Sequence, residues 1–214
     1  MSHKIIVKDA NGHDTEISLT AEESKRAIAN DFEAMVAILN PKYVTVERLT
    51  AKSGEALHLK ITVHAPSHYL TSATDTQPKA TDSMSVEVVV KPGYPIEHVE
   101  ASYPSNRFLA SPNVFNDGGA CIDTWIPFES SLANVVRKLV NDIVHNPQVT
   151  RYDSVARGDA PTGPMIVQWH KDGVRNGQFP TVDPKKLFLR PLPPKREPNI
   201  PAMPVRPLPP KPIR

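Results

Sequence analysis

The chain has 214 residues, of which 39% are hydrophobic and 22% are charged, a composition that suits one compact domain with an ordinary core. It contains no run of about 18 apolar residues and no apolar signal-peptide core, so we expect a cytoplasmic protein without membrane contact. The formal charge of +2 divides into +6 on residues 183–214, from eight basic and two acidic residues, and −4 on residues 1–182. Because Phe188 is the only aromatic residue of the basic segment, we expect no nucleic-acid binding.

Cysteine and histidine usage limits the metal chemistry that the chain can support. Cys121 is the only cysteine, so the chain can form neither an internal disulfide nor a zinc site of four cysteines. The eight histidines include no pair at ligand spacing within a predicted helix. We therefore expect no metal and no cofactor.

The first 40 residues carry the signals of a hairpin and a helix. Two apolar runs within residues 1–19 flank Asn11-Gly12, a dipeptide that favours tight hairpins, and we expect this hairpin to extend an edge of the sheet. Thr20 and Glu23 match a capping box, and apolar residues then recur at helical spacing until an Asn-Pro stop. A helix is therefore predicted over residues 21–39.

Alternating apolar patterns over the next 60 or so residues predict four strands. A polar stretch from about residue 66 to 82 separates the second strand from the third. The predicted strands cover residues 43–49, 57–63, 85–90 and 98–102. Their order along the chain indicates one antiparallel meander behind the helix.

The second half contains one strongly amphipathic helix. Seven apolar residues recur at helical spacing between Leu132 and Val144, after Ser130 or Ser131 as the N-cap and before Asn146-Pro147 as the stop. We expect this apolar stripe to lie in the core. Beyond about residue 158 the pattern gives way to glycine, proline and polar residues, apart from a short apolar element over residues 165–169.

The last segment, residues 183–214, is basic and rich in proline. Twelve of the 23 prolines follow residue 179, and the phrase Arg-Pro-Leu-Pro-Pro-Lys occurs at both 190–195 and 206–211. Such a sequence favours polyproline II and has no core of its own. It is either a solvated linker or a ligand for an aromatic-lined groove on a partner.

The residues before Cys121 have the layout of a covalent acyl carrier. Asn113 precedes Cys121 by eight residues, with a glycine turn between them. A cysteine thiolate is a strong nucleophile, and an amide N–H near a developing oxyanion contributes roughly 3 kcal/mol to its stabilisation. Each residue taken singly also has a purely structural interpretation: Cys121 can be a small buried hydrophobic residue, and Asn113 can be a turn residue after Pro112.

The order of predicted elements resembles the ubiquitin-conjugating enzyme (UBC) fold over about residues 20–157. That fold is α+β, with an N-terminal helix, a four-stranded antiparallel meander, a loop bearing the active-site cysteine, and C-terminal helices. Gly93-Tyr94-Pro95 is similar to the family's Tyr-Pro motif, and Pro112-Asn113 to the last two residues of its His-Pro-Asn motif. The interval from Asn113 to Cys121 equals the family's interval between its oxyanion asparagine and its catalytic cysteine.

Two further phrases extend the resemblance, and three departures limit it. Cys121-Ile122-Asp123 resembles the family's Cys-Leu-Asp, and Asn146-Pro147 resembles the Asn-Pro after its next helix. Ser111 replaces the motif's histidine, which holds the loop in the family, and Trp125 follows the cysteine sooner than usual. The acidic residue that orients the incoming lysine in many relatives would fall near Val149. The residues that could replace it are Asp123, Tyr152 and Asp153, although Asp123 can equally be a loop cap.

The short loop and the missing histidine are more similar to bacterial members of the family than to eukaryotic ones. Those members are typically encoded beside a ubiquitin-like protein, an adenylating activating enzyme and a metal-dependent peptidase, in operons linked to phage defence. The resemblance implies a conjugating enzyme that accepts a ubiquitin-like protein from the activating enzyme as a thioester on Cys121. It would then transfer this modifier to an amine of a target protein, with Asn113 and Asp123 as supporting catalytic residues.

The predicted organisation has four parts, and two other functions remain open. The parts are an N-terminal hairpin extension (1–19), a UBC-like catalytic domain (20–157), a C-terminal extension (158–182) and the basic proline-rich tail (183–214). A catalytically silent UBC-fold module that only binds a ubiquitin-like protein is the first alternative. A cysteine hydrolase pairing Cys121 with His98 or His145 is the second, although no papain-like or caspase-like phrase surrounds the cysteine.

Overall fold

The computed structural model describes residues 3–8, 14–72, 74–115, 117–121, 131–150, 152 and 164–189, with the backbone alone over 3–8 and 14–17. Three α-helices lie within these ranges, α1 (Ala21–Ile38), α2 (Leu132–Ile143) and α3 (Pro164–Arg175). The described strands are β1 (His3–Lys8), β2 (Asp14–Leu19), β3 (Val44–Leu49), β4 (Leu57–Val63), β5 (Ser67–Leu70), β6 (Lys79–Thr81), β7 (Met84–Val90), β8 (Glu100–Ser102) and β9 (Phe108–Leu109). The predicted α+β class is confirmed. No described helix is both long enough and apolar enough to cross a bilayer.

The larger sheet is the predicted four-stranded meander. Its strand order is β3-β4-β7-β8, and every neighbouring pair is antiparallel. Leu59 of β4 lies opposite Val88 of β7, and both are fully buried. Each such side chain contributes about 1.5–3 kcal/mol through its removal from water. The buried face of this sheet forms one core with α1 and α2.

Both predicted helices of the core are present, and their caps are formed as the sequence indicates. At the start of α1, the Thr20 hydroxyl accepts a bond from the Glu23 N–H at 3.2 Å, while the Glu23 carboxylate accepts one from the Thr20 N–H at 2.8 Å. Ser131 caps α2 through its bond from the Asn134 N–H. The predicted apolar stripe of α2 is buried, as expected.

The polar stretch between the second and third meander strands, in which no strand was predicted, contributes to a second sheet. It contains β5 and β6, which with β9 form a second antiparallel sheet in the order β6-β5-β9. The reason is that its polar side chains find partners inside the protein. The buried Ser67 hydroxyl, for example, donates to the Ile143 carbonyl at the end of α2, at 2.6 Å.

The N-terminal hairpin forms, but its expected attachment was wrong. β1 and β2 pair from His3 opposite Leu19 to Lys8 opposite Asp14, and they form a two-stranded sheet of their own. Within the described strands, neither pairs with either larger sheet. Thr20 alone separates β2 from α1, so the hairpin stays at the N-terminal end of that helix.

The short element predicted near residue 165 is the full helix α3. Its Gly173 lowers helix propensity, which obscured the pattern, but a Cβ at Gly173 would lie 2.3 Å from the Phe179 ring. The following segment, 183–189, starts the basic region and packs on the end of α1. Asn40 N donates to Leu187 O at 2.9 Å, and Leu189 N donates to Ile38 O at 2.8 Å. Both Arg-Pro-Leu-Pro-Pro-Lys phrases lie outside the described residues.

Candidate functional site

The described residues between Asn113 and Cys121 pair as the two sides of a narrow turn. Val114 and Ala120 pair as an antiparallel bridge, and Phe115 N donates to Gly119 O at 2.7 Å. One position further out, Cys121 N donates to Asn113 O, also at 2.7 Å. The two residues that the sequence separates by seven positions are therefore direct backbone neighbours.

One glycine makes this turn possible and fixes it to the larger sheet. Gly118 has φ +89°, in the left-handed region, and a Cβ there would lie 2.8 Å from the Tyr103 carbonyl oxygen. Tyr103 N in turn donates to Gly118 O at 2.8 Å, and Ala120 N donates to Ala101 O at 2.8 Å. The turn thus pairs with β8, the edge strand of the larger sheet, and places Cys121 beside that edge.

A buried polar network joins the beginning of this turn to α2. The Ser111 hydroxyl donates to Asp142 Oδ1 at 2.6 Å and accepts a bond from Asn113 N at 3.1 Å. The Asn113 side-chain amide donates to the same Oδ1 atom at 3.0 Å and to the Val149 carbonyl at 3.2 Å. Ser111, Asn113 and Asp142 are all buried.

The environment of Asp142 changes its acidity. Burial raises the pKa of the Asp142 carboxyl to about 6, while the bonds from Ser111 and Asn113 favour the ionised form and oppose that rise. With a pKa of about 6, the Asp142 carboxyl is mostly ionised at pH 7 and mostly protonated at pH 5. Burial and the nearby Asp142 charge together raise the pKa of Tyr103 well above its ordinary value.

A cleft of about 550 Å³ opens beside these residues. Its walls come from the hairpin turn, from α2 and residues 146–150, and from the segment 184–188. Cys121 is half-buried on this cleft and does not belong to the hydrophobic core. The basic side chains that line the cleft are Arg137, Lys138 and Lys185.

The other predicted candidates fall into two groups. Asp123, Trp125 and Asp153 lie outside the described residues. Among the residues that are described, Val149 lines the cleft, whereas Tyr152 does not: its hydroxyl bonds to His170 Nδ1 at 2.8 Å, and burial raises its pKa.

Neither histidine proposed as a hydrolase partner lines the described part of the cleft. His145 is fully buried and packs against the ring of Phe179, with 4.4 Å between centroids, and against His68 at 5.3 Å. Burial, together with the charges of His170 and His68, holds the pKa of His145 well below its ordinary value. His145 therefore belongs to an aromatic cluster in the interior and not to the lining of the cleft.

Asp142 is the functional candidate that the sequence patterns did not single out. The sequence does contain a signal for it. Asp142 lies three residues after Leu139 and seven after Val135, and this spacing places an acidic residue on the apolar stripe of α2. Buried carboxylates require hydrogen-bond donors, so an acid on a core-facing stripe indicates a buried polar network. The cleft wall formed by residues 184–188 had no such local signal, because it depends on contacts with distant residues.

Tyr94, of the Tyr-Pro phrase, has a structural role. Its hydroxyl accepts a bond from Leu132 N at 2.9 Å and donates to Asp31, thereby joining the start of α2 to α1. Its carbonyl accepts a bond from the Ser24 hydroxyl at 2.7 Å. These contacts hold the two core helices together away from the cleft.

In the described ranges, no three histidine, cysteine, aspartate or glutamate side chains are grouped to hold an ion. No protein-family model matches the sequence, and no curated protein matches it either. The function is therefore inferred from the fold, from the geometry around Cys121 and from the sequence motifs.

Proposed function

We propose that the protein is a ubiquitin-like-protein conjugating enzyme, which carries the modifier as a thioester on Cys121. The observation that supports this most directly is the 2.7 Å bond from Cys121 N to Asn113 O at the margin of an open cleft. It brings together the two residues whose spacing resembles that of the family's oxyanion asparagine and catalytic cysteine. A cysteine kept only for packing would lie in the core, whereas Cys121 borders the cleft.

The reaction has two acyl transfers. In the first, the Cys121 thiolate attacks the thioester carbonyl that links the modifier to the activating enzyme. A new S–C bond forms to Cys121, and the thiolate of the activating enzyme leaves. In the second, an amine of the target protein attacks the Cys121 thioester, the amide bond forms, and the Cys121 thiolate leaves. The proton lost by the amine passes to solvent or to the leaving thiolate. The oxyanion that forms when the amine attacks would be stabilised by roughly 3 kcal/mol by a nearby N–H donor.

Two structural features support the proposal beyond the cysteine itself. The four-stranded meander and its two core helices occur in the order that the resemblance implies. Ser111, which stands where the family has a histidine, bonds both Asp142 and Asn113 and so can hold the loop in the histidine's place. The absence of that histidine therefore does not leave the turn without an anchor.

The remaining parts of the proposal come from the resemblance to bacterial members. The partners are a ubiquitin-like protein, an adenylating activating enzyme and a target protein, acting in the cytoplasm in antiphage defence. Asp123 remains the candidate for a third catalytic residue that orients the acceptor amine. The basic cleft lining formed by Arg137, Lys138 and Lys185 is compatible with an acidic segment on one of these partners.

A charging assay tests the proposal. The full chain is mixed with ATP and with the ubiquitin-like and activating proteins encoded beside its gene, and the products are separated without reducing agent. We expect a band heavier by one modifier that disappears on addition of thiol and does not form with Cys121→Ala. The matched variant Cys121→Ser should give an oxygen ester instead, which resists thiol and is cleaved by alkali.

One observation favours the second candidate, a catalytically silent binding module. Both N–H groups of the Asn113 amide already bond inward, to Asp142 and to the Val149 carbonyl. With the side chain in this position, it has no N–H left for an oxyanion. Binding of the ubiquitin-like protein without any thiol-sensitive band, in the presence of a demonstrably charged activating enzyme, would establish the silent module and refute the enzyme.

A further inference from the structure

We infer that Asp142 is a positioning residue, which holds the Asn113 side chain inward and so restrains it from stabilising the oxyanion. The catalytic consequence rests on the proposed function, whereas the positioning itself does not. The experiments below separate the two.

The geometry of one carboxylate oxygen supports this inference. Asp142 Oδ1 accepts bonds from the Ser111 hydroxyl at 2.6 Å and from the Asn113 amide at 3.0 Å. The other N–H of that amide donates to the Val149 carbonyl at 3.2 Å. Because a side-chain amide has only two N–H groups, an oxyanion bond from Asn113 requires one of these two bonds to open.

Asn113 is also bonded directly to the reacting cysteine. The Asn113 carbonyl accepts the bond from Cys121 N, and the Asn113 N–H is held by Ser111. The backbone of Asn113 is thus fixed at both polar groups, while its side chain can rotate about two single bonds. Release of the amide can therefore occur without moving Cys121.

The charge of Asp142 sets how strongly the amide is held. Hydrogen bonds to a charged group contribute about 1.5–3 kcal/mol, and those between neutral groups about 0.5–1.5 kcal/mol. Burial raises the pKa of Asp142 to about 6, so the strong bond is present at pH 7 and weakens as the carboxyl is protonated at lower pH. The titratable and charged groups around Asp142 in the described network and cleft are Tyr103, Cys121, Arg137, Lys138, His145 and Lys185.

The first experiment measures the positioning in the uncharged full-length protein. The side-chain NH₂ signals of Asn113, assigned by their loss in Asn113→Ala, are followed by ¹⁵N NMR from pH 5 to pH 8. We expect them to move with a midpoint near pH 6 in the parent and not in Asp142→Asn. Signals that do not titrate, or that titrate identically in Asp142→Asn, would overturn the inference.

A second variant keeps the experiment decisive if Asp142→Asn does not fold. Ser111→Ala removes one of the two bonds that favour ionised Asp142 and leaves the carboxyl in place. The midpoint of the Asn113 signals should then move above its value in the parent, because the ionised carboxyl has lost a donor. An unchanged midpoint would overturn the inference as well.

The second experiment measures the catalytic consequence. Cys121 is charged with the modifier, the activating enzyme is stopped, and single-turnover discharge to free lysine is timed between pH 5.5 and pH 8. The rate of Asp142→Asn is divided by that of the parent at each pH, which cancels the titration of the lysine amine. We expect a ratio near 1 at the lowest pH that rises to about fivefold above pH 7, because only ionised Asp142 restrains Asn113 strongly.

The possible outcomes are distinguishable. A ratio independent of pH, or a variant slower at every pH, would mean that Asp142 only supports the fold, and would overturn the catalytic part of the inference. Failure of Cys121 to charge from a charged activating enzyme would refute the proposed function instead. The NMR titration would still decide the positioning in that case, because it needs no modifier.

Discussion

The hydroxyl of Ser111 donates a 2.6 Å hydrogen bond to the carboxylate of Asp142, which lies 31 residues further along the chain. This bond joins the beginning of the cysteine-bearing turn to the interior face of α2. Since Ser111 also accepts the bond from Asn113 N, one hydroxyl fixes both the turn and the buried acid. The geometry of the candidate site therefore depends on a residue that does not itself line the cleft.

Ser111→Ala should destabilise the fold by about 1–3 kcal/mol, because it leaves a buried charge with one donor fewer. Chemical denaturation at pH 7 measures the change in the free energy of unfolding. Ser53→Ala is the matched control, since Ser53 is exposed and should change that free energy by less than about 0.5 kcal/mol. Equal effects of the two substitutions would contradict a structural role for the Ser111–Asp142 bond.

Asn113→Ala should leave charging of Cys121 intact and slow discharge to an amine about a hundredfold or more. The physical reason is that the oxyanion of the second transfer loses its amide donor, whereas the thiol is unaltered. Single-turnover discharge of the purified thioester gives the rate. If variant and parent discharge equally fast, Asn113 has no part in the chemistry and its inward bonds are its whole function.

Gly118→Ala should destabilise the protein more than Gly54→Ala. Both glycines have positive φ, +89° and +83°, so both substitutions share a backbone cost of about 1–2 kcal/mol. A Cβ at Gly118 would additionally lie 2.8 Å from the Tyr103 carbonyl oxygen, whereas none of the described atoms lies within 4 Å at Gly54. Denaturation midpoints compare the two variants, and an equal loss would show that the turn can move away from β8 at no cost.

Leu187→Ala should cost about 2–5 kcal/mol of unfolding free energy, as expected for a fully buried leucine. Leu189→Ala is the control, because its side chain is 59% exposed and its substitution should cost less than about 0.5 kcal/mol. Thermal and chemical denaturation both report the difference. A small effect at Leu187 would mean that the segment 183–189 contributes little to the folded body, and so does not hold the cleft wall.

The protein should lose stability as the pH falls below about 6.5, through a cluster of histidines that are buried (His145, His170) or half-buried (His68). Burial lowers the pKa of His68 and of His145, and lowers the pKa of His170 to about 4. The folded state thus keeps these rings neutral while the unfolded chain binds protons below pH 6.5, so stability decreases from pH 6.5 downward. For His170 the loss amounts to roughly 3 kcal/mol by the time the pH reaches its folded pKa.

Denaturation midpoints at several pH values between 7.5 and about 4 measure this loss. Asp142 opposes the trend, because its pKa is raised by burial and its protonation at lower pH favours the folded state. His170→Gln should flatten the decrease, whereas His98→Gln, at an exposed position, should not. An identical pH dependence for His170→Gln and the parent would contradict the assignment.

The parts of the fold that could be predicted are those with a local signal. The stripe from Leu132 to Val144 and the alternation of Leu59 with its neighbours reflect the periods of helix and strand, so α2 and the meander were recognised. Cap residues such as Thr20 act on adjacent backbone groups, and they were recognised for the same reason. The adjacency of Asn113 and Cys121 was indicated only by a spacing that resembles a family's, not by any local pattern.

The parts that could not be predicted depend on contacts between distant residues. β5 and β6 are polar, and they are stable because groups such as Ser67 bond to the end of α2. From its sequence, segment 183–189 is indistinguishable from the start of a solvated tail. In the structure it is packed, because the Leu187 carbonyl accepts a bond from Asn40 N and the Leu187 side chain is buried in the core. The role of Asp142 could not be predicted because it depends on hydrogen bonds from Ser111 and Asn113, which are about 30 residues away in the chain.

The central claim is that Cys121 accepts an acyl group, and intact-mass spectrometry tests it most directly. The full chain is incubated with ATP, the neighbouring ubiquitin-like protein and the activating enzyme, alongside Cys121→Ala. We predict a species heavier by one modifier less one water, which thiol removes and which Cys121→Ala does not form. Its absence in the parent, when the activating enzyme in the same mixture is demonstrably charged, would contradict the account.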